Sequence, residues 1–266
     1  MPFDQLIILA LVQGLTEFLP VSSSGHLNLV HLLTSWEDQG PLLDVAVHVG
    51  SLFAVIIYFW RDMVMFVRAL WQLSRGKQTP DVIILYFLVV ASLPIFVIGF
   101  IVLSLDLIDS LRTLPVIAWA NLVFAVVLLI ADRIGLTVRR VEHITLKDAL
   151  LVGFAQVISI IPGASRAGVT VSMARLLGYE RREAARFSML LSIPTIMGLG
   201  VATSFKLYQM GDFQMQSDAF FAAVLSLLAA LGSIWFMMAL LKRTTLLPFV
   251  VYRLVLGGLL LGFIYG

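Results

Sequence analysis

The chain has 266 residues, of which 60% are hydrophobic and only 13% charged; an ordinary soluble domain carries about 25% charge. With a mean hydropathy of +1.00, that excludes a water-soluble globule, and the absence of cysteine excludes disulfides, thiolate metal centres and a cysteine nucleophile. The net charge is +2 and the basic residues fall in a few short stretches, which suits membrane topology rather than a nucleic-acid partner.

In chain order, residues 3–19 are apolar but interrupted by Gln13 and Glu17. No cleavable signal peptide is expected, because a basic leading segment is missing and Glu17 lies inside the apolar run. Gln13 and Glu17 share a helix face. Pro20 breaks that helix, and a second piece, about 23–34, follows. Neither piece reaches the roughly 20 residues that a span needs, so together they read as a re-entrant hairpin. Ser22, Ser23 and Ser24 sit where the second piece begins. Hydroxyls and free N–H groups at a helix start can hold an anion such as phosphate, although serines after a proline also cap helices with no further role. His26 can reach back over the same turn.

Residues 41–60 can span, carrying Asp44, His48, Gly50 and Ser51. His48 could approach the site, but a hydrogen-bonded structural role is the simpler expectation. A basic loop at 61–80 follows, then a span at 82–104 with a kink expected at Pro94. A short loop with Asp106, Asp109 and Arg112 leads to a span at about 114–131 and a second basic loop at 132–147.

The opening pattern then returns. Residues 147–161 are apolar around Gln156 and end at Pro162-Gly163, and a new helix starts at Ala164-Ser165-Arg166 and runs to about Leu177. Spans are expected at about 184–205, 218–241 and 246–266. Gln13…Pro20-x-x-Ser23-x-Gly25 parallels Gln156…Pro162-x-x-Ser165-x-x-Gly168. The expected fold is therefore an all-α polytopic membrane protein, with six transmembrane helices plus two re-entrant helical hairpins. It forms one integral membrane domain, 1–266, whose halves, about 1–131 and 147–266, are an inverted-topology repeat. An odd number of spans per half inverts the second half and puts the site where the two broken elements meet. The basic loops are assigned to the cytoplasm, so both termini and the first hairpin face outside.

Arg166 sits beside serine, proline and glycine at a helix start, and its planar fork suits two phosphate oxygens; the alternative is that it snorkels or pairs with Glu17. Thr170 shares its face. Gly163-x-x-x-x-Gly168-Val169-Thr170 is no P-loop, since valine stands in place of lysine and no strand precedes it. Ser24-Gly25-His26 and Ser165-Arg166 match part of the membrane acid-phosphatase pattern, but no histidine follows Ser165-Arg166. Arg253 in the last span is expected to pair or snorkel. Trp36, Trp60 and Trp71 suit interfacial anchoring.

These motifs resemble those of the undecaprenyl-diphosphatase family of bacterial membranes, also called the bacitracin-resistance protein family. The resemblance lies in Gln13 and Glu17, in Pro20-Val-Ser-Ser-Ser-Gly-His26, and in Pro162-Gly-Ala-Ser-Arg-Ala-Gly-Val-Thr170, with Ala167 replacing the second serine of the family motif. It implies hydrolysis of undecaprenyl diphosphate to undecaprenyl phosphate and inorganic phosphate, dependent on a divalent cation, Mg²⁺ or Ca²⁺. The lipid carrier of cell-wall synthesis would be recycled in the bacterial inner membrane, at a site open to the outer side. Bacitracin would compete for the substrate, and a homodimer is compatible with the pattern. On this reading Glu17 and Gln13 hold the metal and Arg166 clamps the diphosphate. Ser23 is the preferred nucleophile with His26 as its base; alternatively His26 attacks or activates a water. Ser22, Ser24, Gly163, Ser165 and Thr170 bind substrate. The competing function is a lipid-phosphate or anion transporter, since broken helices in inverted repeats also build carriers; phosphate release separates the two.

Overall fold

The computed structural model describes residues 2–34, 36, 40–105, 107–135, 138–210 and 213–266; Asp106 lies outside them. The described residues are helical almost throughout. The helices are α1 Phe3–Thr16, α2 Ser23–Leu33, α3 Gly40–Tyr58, α4 Trp60–Leu73, α5 Pro80–Ser104, α6 Ile108–Leu111 and α7 Leu114–Ile134. They continue with α8 Leu146–Val157, α9 Arg166–Leu176, α10 Arg181–Met210, α11 Phe213–Leu240 and α12 Leu247–Tyr265.

Among the described residues four helices, α5, α7, α11 and α12, are long and apolar enough to cross a membrane. The protein is thus a multi-pass membrane protein. The bent pair α3 and α4 also qualifies as a broken span, its two halves meeting at 85°. α5 runs on through Pro94. Proline or a threonine cap marks several starts: Thr79 caps α5 with Pro80 in its first turn, and Pro115 and Pro248 open α7 and α12.

One stretch expected as loop is helical. Residues 60–73 form α4 because Trp60, Val64, Val67 and Trp71 recur at three- and four-residue spacing while Arg61 and Arg68 fall on another face. Val67 is 67% exposed and Trp71 56%, and Arg75 lies 3.7 Å above the Trp71 ring. An apolar face bordered by cations and tryptophans suits a helix lying along the membrane surface.

α1 packs along α11, α8 along α5, and α12 along α7, with α3 between α10 and α11. Small residues permit the close approaches. A Cβ on Gly14 would come within 2.5 Å of the Ser226 carbonyl oxygen, and one on Gly153 within 2.5 Å of that of Ala91. The two short helices that fall short of a span, α1 and α8, are therefore seated in protein along much of their length. That is the setting in which a broken helix survives at membrane depth.

Charged residues cluster at one end of the bundle. Asp132 accepts from Arg181 at 2.6 Å and from the Leu246 N–H at 3.1 Å, and lies 3.3 Å from Arg175. Asp148 closes a capping box with Thr145 at the start of α8 and takes Arg139 at 2.5 Å. The Asp132 contacts tie α7 to α9, to the start of α10 and to Leu246 just before α12, while the Asp148 pair ties the start of α8 to the segment after α7, so the hairpin α8–α9 is held at its base.

Candidate functional site

Each hairpin breaks in the same way. Among the described residues, the two non-glycine positions with left-handed φ are Ser22 (74°) and Ser165 (72°). Such backbone costs about 1–3 kcal/mol and persists only where its surroundings demand it. Ser22 Oγ accepts the N–H of Gly25 at 3.2 Å, and Ser165 Oγ that of Gly168 at 3.0 Å. The matched residues are therefore Gln13, Ser22 and Gly25 with Gln156, Ser165 and Gly168. This corrects the sequence alignment of Ser23 with Ser165 by one position. Proline had served as the anchor there, but the serine that both caps and turns the chain sets the true register.

The two breaks touch. Ser22 Oγ also accepts the N–H of Gly163 at 3.1 Å, and Gly163 has the left-handed φ, 94°, that glycine adopts freely. Across this contact stands Glu17, only 7% exposed. Its carboxylate accepts from Arg166 Nη2 at 2.8 Å, Ser23 Oγ at 2.5 Å and Gln13 Nε2 at 2.8 Å. His48 Nε2 lies 3.6 Å from Glu17 Oε2, while its Nδ1 donates to the Asp44 carbonyl at 2.6 Å. Gln13, Glu17, Ser23 and Arg166 thus converge, and Arg166 makes the pair with Glu17, the sequence alternative to an anion clamp, rather than snorkelling. One donor of that arginine, Nη1, is buried without a hydrogen-bond partner, a cost that an incoming anion would relieve.

His26 is placed otherwise than expected. Its Nδ1 meets the Ser22 carbonyl at 2.7 Å; a carbonyl only accepts, so that nitrogen carries the proton. Nε2 is then free to accept the Tyr252 hydroxyl at 2.5 Å, with the two rings stacked. His26 is turned to α12 and not to Ser23, so in this arrangement the group that can take the Ser23 proton is Glu17. The reason is local: the inverted backbone at Ser22 points its carbonyl at the ring four residues on.

The hydroxyls of Ser22, Ser165 and Thr170 and the N–H of Gly163 are engaged inside the protein. Thr170 Oγ1 donates to the Arg166 carbonyl at 2.8 Å and meets Ser188 Oγ at 2.6 Å. These residues build the site more than they face its mouth. Ser24 is half-buried and lies 3.4 Å from Ser22 Oγ. Sequence reasoning missed Tyr252, which looked like one more aromatic in an apolar span, and undervalued His48 and Arg253. Only their positions across the fold distinguish them.

Among the described residues no group of three or more His, Asp or Glu side chains could hold a metal ion. The nearby oxygen donors are the Glu17 carboxylate and Gln13 Oε1, which is buried with no partner. That orphaned oxygen beside a carboxylate fits a hard cation of the Mg²⁺ kind, which takes few protein ligands and draws the rest from water and phosphate.

A model described as Bacitracin resistance protein BacA matches residues 6–259. The chain is 46% identical over 266 residues to the undecaprenyl-diphosphatase of Roseobacter denitrificans, covering 100% of both chains. It is 45% identical over 261 residues to that of a Jannaschia species, covering 98% of each. It is 44% identical over 269 residues to undecaprenyl-diphosphatase 1 of Rhodospirillum rubrum, covering 98% of this chain and 95% of that one. With the matched motifs lying on the two touching breaks, the chain belongs to the bacitracin resistance protein BacA family.

Proposed function

We propose that the chain hydrolyses undecaprenyl diphosphate to undecaprenyl phosphate and inorganic phosphate. The observation that carries this is Ser23 Oγ 2.5 Å from a carboxylate that also holds Arg166 across the two hairpin breaks. Curated relatives at 44–46% identity bear the name of that activity.

In this reading Arg166 binds the diphosphate through its unpaired Nη1 and steadies the charge that builds on the transferred phosphoryl group. Ser23 Oγ attacks the distal phosphorus as its proton passes to Glu17. The bond to the bridging oxygen breaks, undecaprenyl phosphate leaves, and a water then releases phosphate from Ser23 and restores the hydroxyl. A divalent cation held by Glu17 and Gln13 would supply Lewis-acid neutralisation of phosphate charge. Tyr252 and the Ser22 carbonyl hold His26 at the rim.

The membrane layout belongs to the same proposal. α3 and α10 join the four clear spans to make six, α1–α2 and α8–α9 are the re-entrant hairpins, and the halves 1–131 and 147–266 form an inverted repeat. The nine-residue spacing from Gln13 to Ser22 and from Gln156 to Ser165 supports it. The chain would lie in the bacterial inner membrane with its site open to the outer side, and bacitracin would compete by sequestering the substrate. Glu17, Ser23 and Arg166 come from one chain, an arrangement with which a homodimer is compatible.

Purified protein in detergent should release phosphate from undecaprenyl diphosphate, lose that activity in EDTA, and lose it in Arg166→Ala. Movement of lipid phosphate across liposomes with no phosphate release would overturn this reading in favour of a transporter.

A further inference from the structure

Arg253 lies in α12 and is fully buried, yet among the described residues no carboxylate is ion-paired with it. Its guanidinium is spent on backbone carbonyls instead. Nη1 donates to Pro20 at 3.1 Å, and Nη2 to Gly163 at 2.7 Å, Ala164 at 3.1 Å and Ala120 at 3.4 Å; Nε donates to Asn121 at 3.4 Å. Pro20 belongs to the break of the first hairpin, Gly163 and Ala164 to that of the second, and Ala120 and Asn121 to α7. An arginine between spans neither snorkels nor pairs here, contrary to the sequence expectation. Burying an unpaired cation is costly, so the position has a use that an apolar residue would not serve.

We propose that Arg253 is a positioning residue of the phosphatase site. It holds the two breaks in register, so that Ser23 on one faces Arg166 on the other. The five donors of a guanidinium reach carbonyls on three segments at once, which the three of an ammonium cannot reproduce. It also takes up carbonyl oxygens that would repel a diphosphate if they turned toward it, and its charge lies behind the starts of α2 and α9. The fit extends to Gly168, where a Cβ would come within 2.8 Å of Arg253 Nη1. This inference rests on the phosphatase reading for its activity test, but the register itself is measurable without activity.

The chain has no cysteine, so spin labels at Leu33→Cys and Leu176→Cys, at the far ends of α2 and α9, report the relative placement of the two hairpins. The expected result is one narrow distance distribution in the otherwise unchanged protein, shifted or broadened by Arg253→Ala and less so by Arg253→Lys. In the activity assay kcat should fall about 100-fold in Arg253→Ala with KM within about threefold, because an interaction that acts on transition-state geometry lowers kcat. Arg253→Lys should recover part of that loss. A Cβ at Gly168 would also lie 3.1 Å from Ser165 Cβ, so Gly168→Ala should lower kcat in both backgrounds but by less once Arg253 is alanine, the non-additivity of touching groups. An unchanged distance distribution in Arg253→Ala, or wild-type kcat in a folded form of it, overturns the proposal. If Arg253→Ala does not fold, wild-type kcat and distances in both Arg253→Lys and Gly168→Ala do the same. A wild-type protein that releases no phosphate removes the functional reading, and the distances then decide the positioning role alone.

Discussion

Replacing Ser23 with alanine distinguishes two roles by magnitude. Ser23 Oγ donates to Glu17 Oε2 at 2.5 Å. If that bond only orients the carboxylate, its loss is the loss of one hydrogen bond to a charged group, about 1.5–3 kcal/mol. At 1.36 kcal/mol per decade, the rate would fall roughly ten- to 150-fold. If Ser23 is the nucleophile, the variant loses the covalent route, and in hydrolases of that kind removal of the nucleophile costs on the order of a millionfold in kcat. Glu17 keeps Gln13 and Arg166 in the variant, so the site should stay assembled. The assay is phosphate release from undecaprenyl diphosphate by purified Ser23→Ala, with thermal unfolding as the control for integrity. We expect a kcat below about 10⁻⁴ of wild type, well past the hydrogen-bond limit. A folded variant that retains more than about 1% of wild-type kcat, within the hydrogen-bond limit, refutes the assignment and makes Ser23 a partner of Glu17 only.

Tyr252→Phe removes the hydroxyl on His26 Nε2 and keeps the stacked ring; one neutral hydrogen bond is worth about 0.5–1.5 kcal/mol. Its kcat should fall about tenfold or less, and a loss of several thousandfold would show that the hydroxyl takes part in the chemistry. Gly50→Ala places a Cβ 2.0 Å from the Ala223 carbonyl oxygen, so α3 and α11 must separate; a thermal unfolding midpoint equal to wild type would contradict the close packing. Burial alone would raise the pKa of Asp148, but hydrogen bonds from Arg139, Thr145 and Tyr179 outweigh it and hold the carboxyl below its usual range. The stability that this supplies is therefore complete above the ordinary carboxylate pKa and lost as pH falls through the depressed folded value. Unfolding midpoints measured from neutral to acidic pH should show that loss in wild type, with a flatter profile in Asp148→Asn.

Much of the fold is legible because bilayer chemistry leaves few options. A run of 20 apolar residues has to be a buried helix, and α5, α7, α11 and α12 follow from that alone. The interfacial helix α4 was harder to read. Arg61 and Arg68 within it and Arg75 just beyond its end looked like loop charge, and the apolar residues between them are too few to span. Only the spacing of Trp60, Val64, Val67 and Trp71 signals a face, and it takes the 85° bend after Tyr58 to show where that face lies.

At the candidate site the separation is sharper. Polar residues stranded in apolar sequence announced Gln13, Glu17, Ser23 and Arg166, because such groups need partners and each was the other's. What stayed hidden was register and direction. Ser22, Ser23 and Ser24 are chemically alike, and nothing in their order says which takes left-handed backbone. Once Ser22 does, its carbonyl claims His26, its hydroxyl claims Gly25 and Gly163, and Ser23 is left to Glu17. In the register so fixed, Ser23 stands where Arg166 stands on the second hairpin, each directly after the turning serine. One break thus presents a hydroxyl that can attack and the other a cation that can hold the phosphate, from equivalent positions on either side of one carboxylate. The shared frame is the turning serine with its glycine, while Glu17 against Ile160, Ser23 against Arg166 and His26 against Val169 carry the division of labour. Arg253, in the proposed role of fastening that frame, accordingly meets backbone carbonyls of both breaks, at Pro20, Gly163 and Ala164, which do not depend on the side chains that differ.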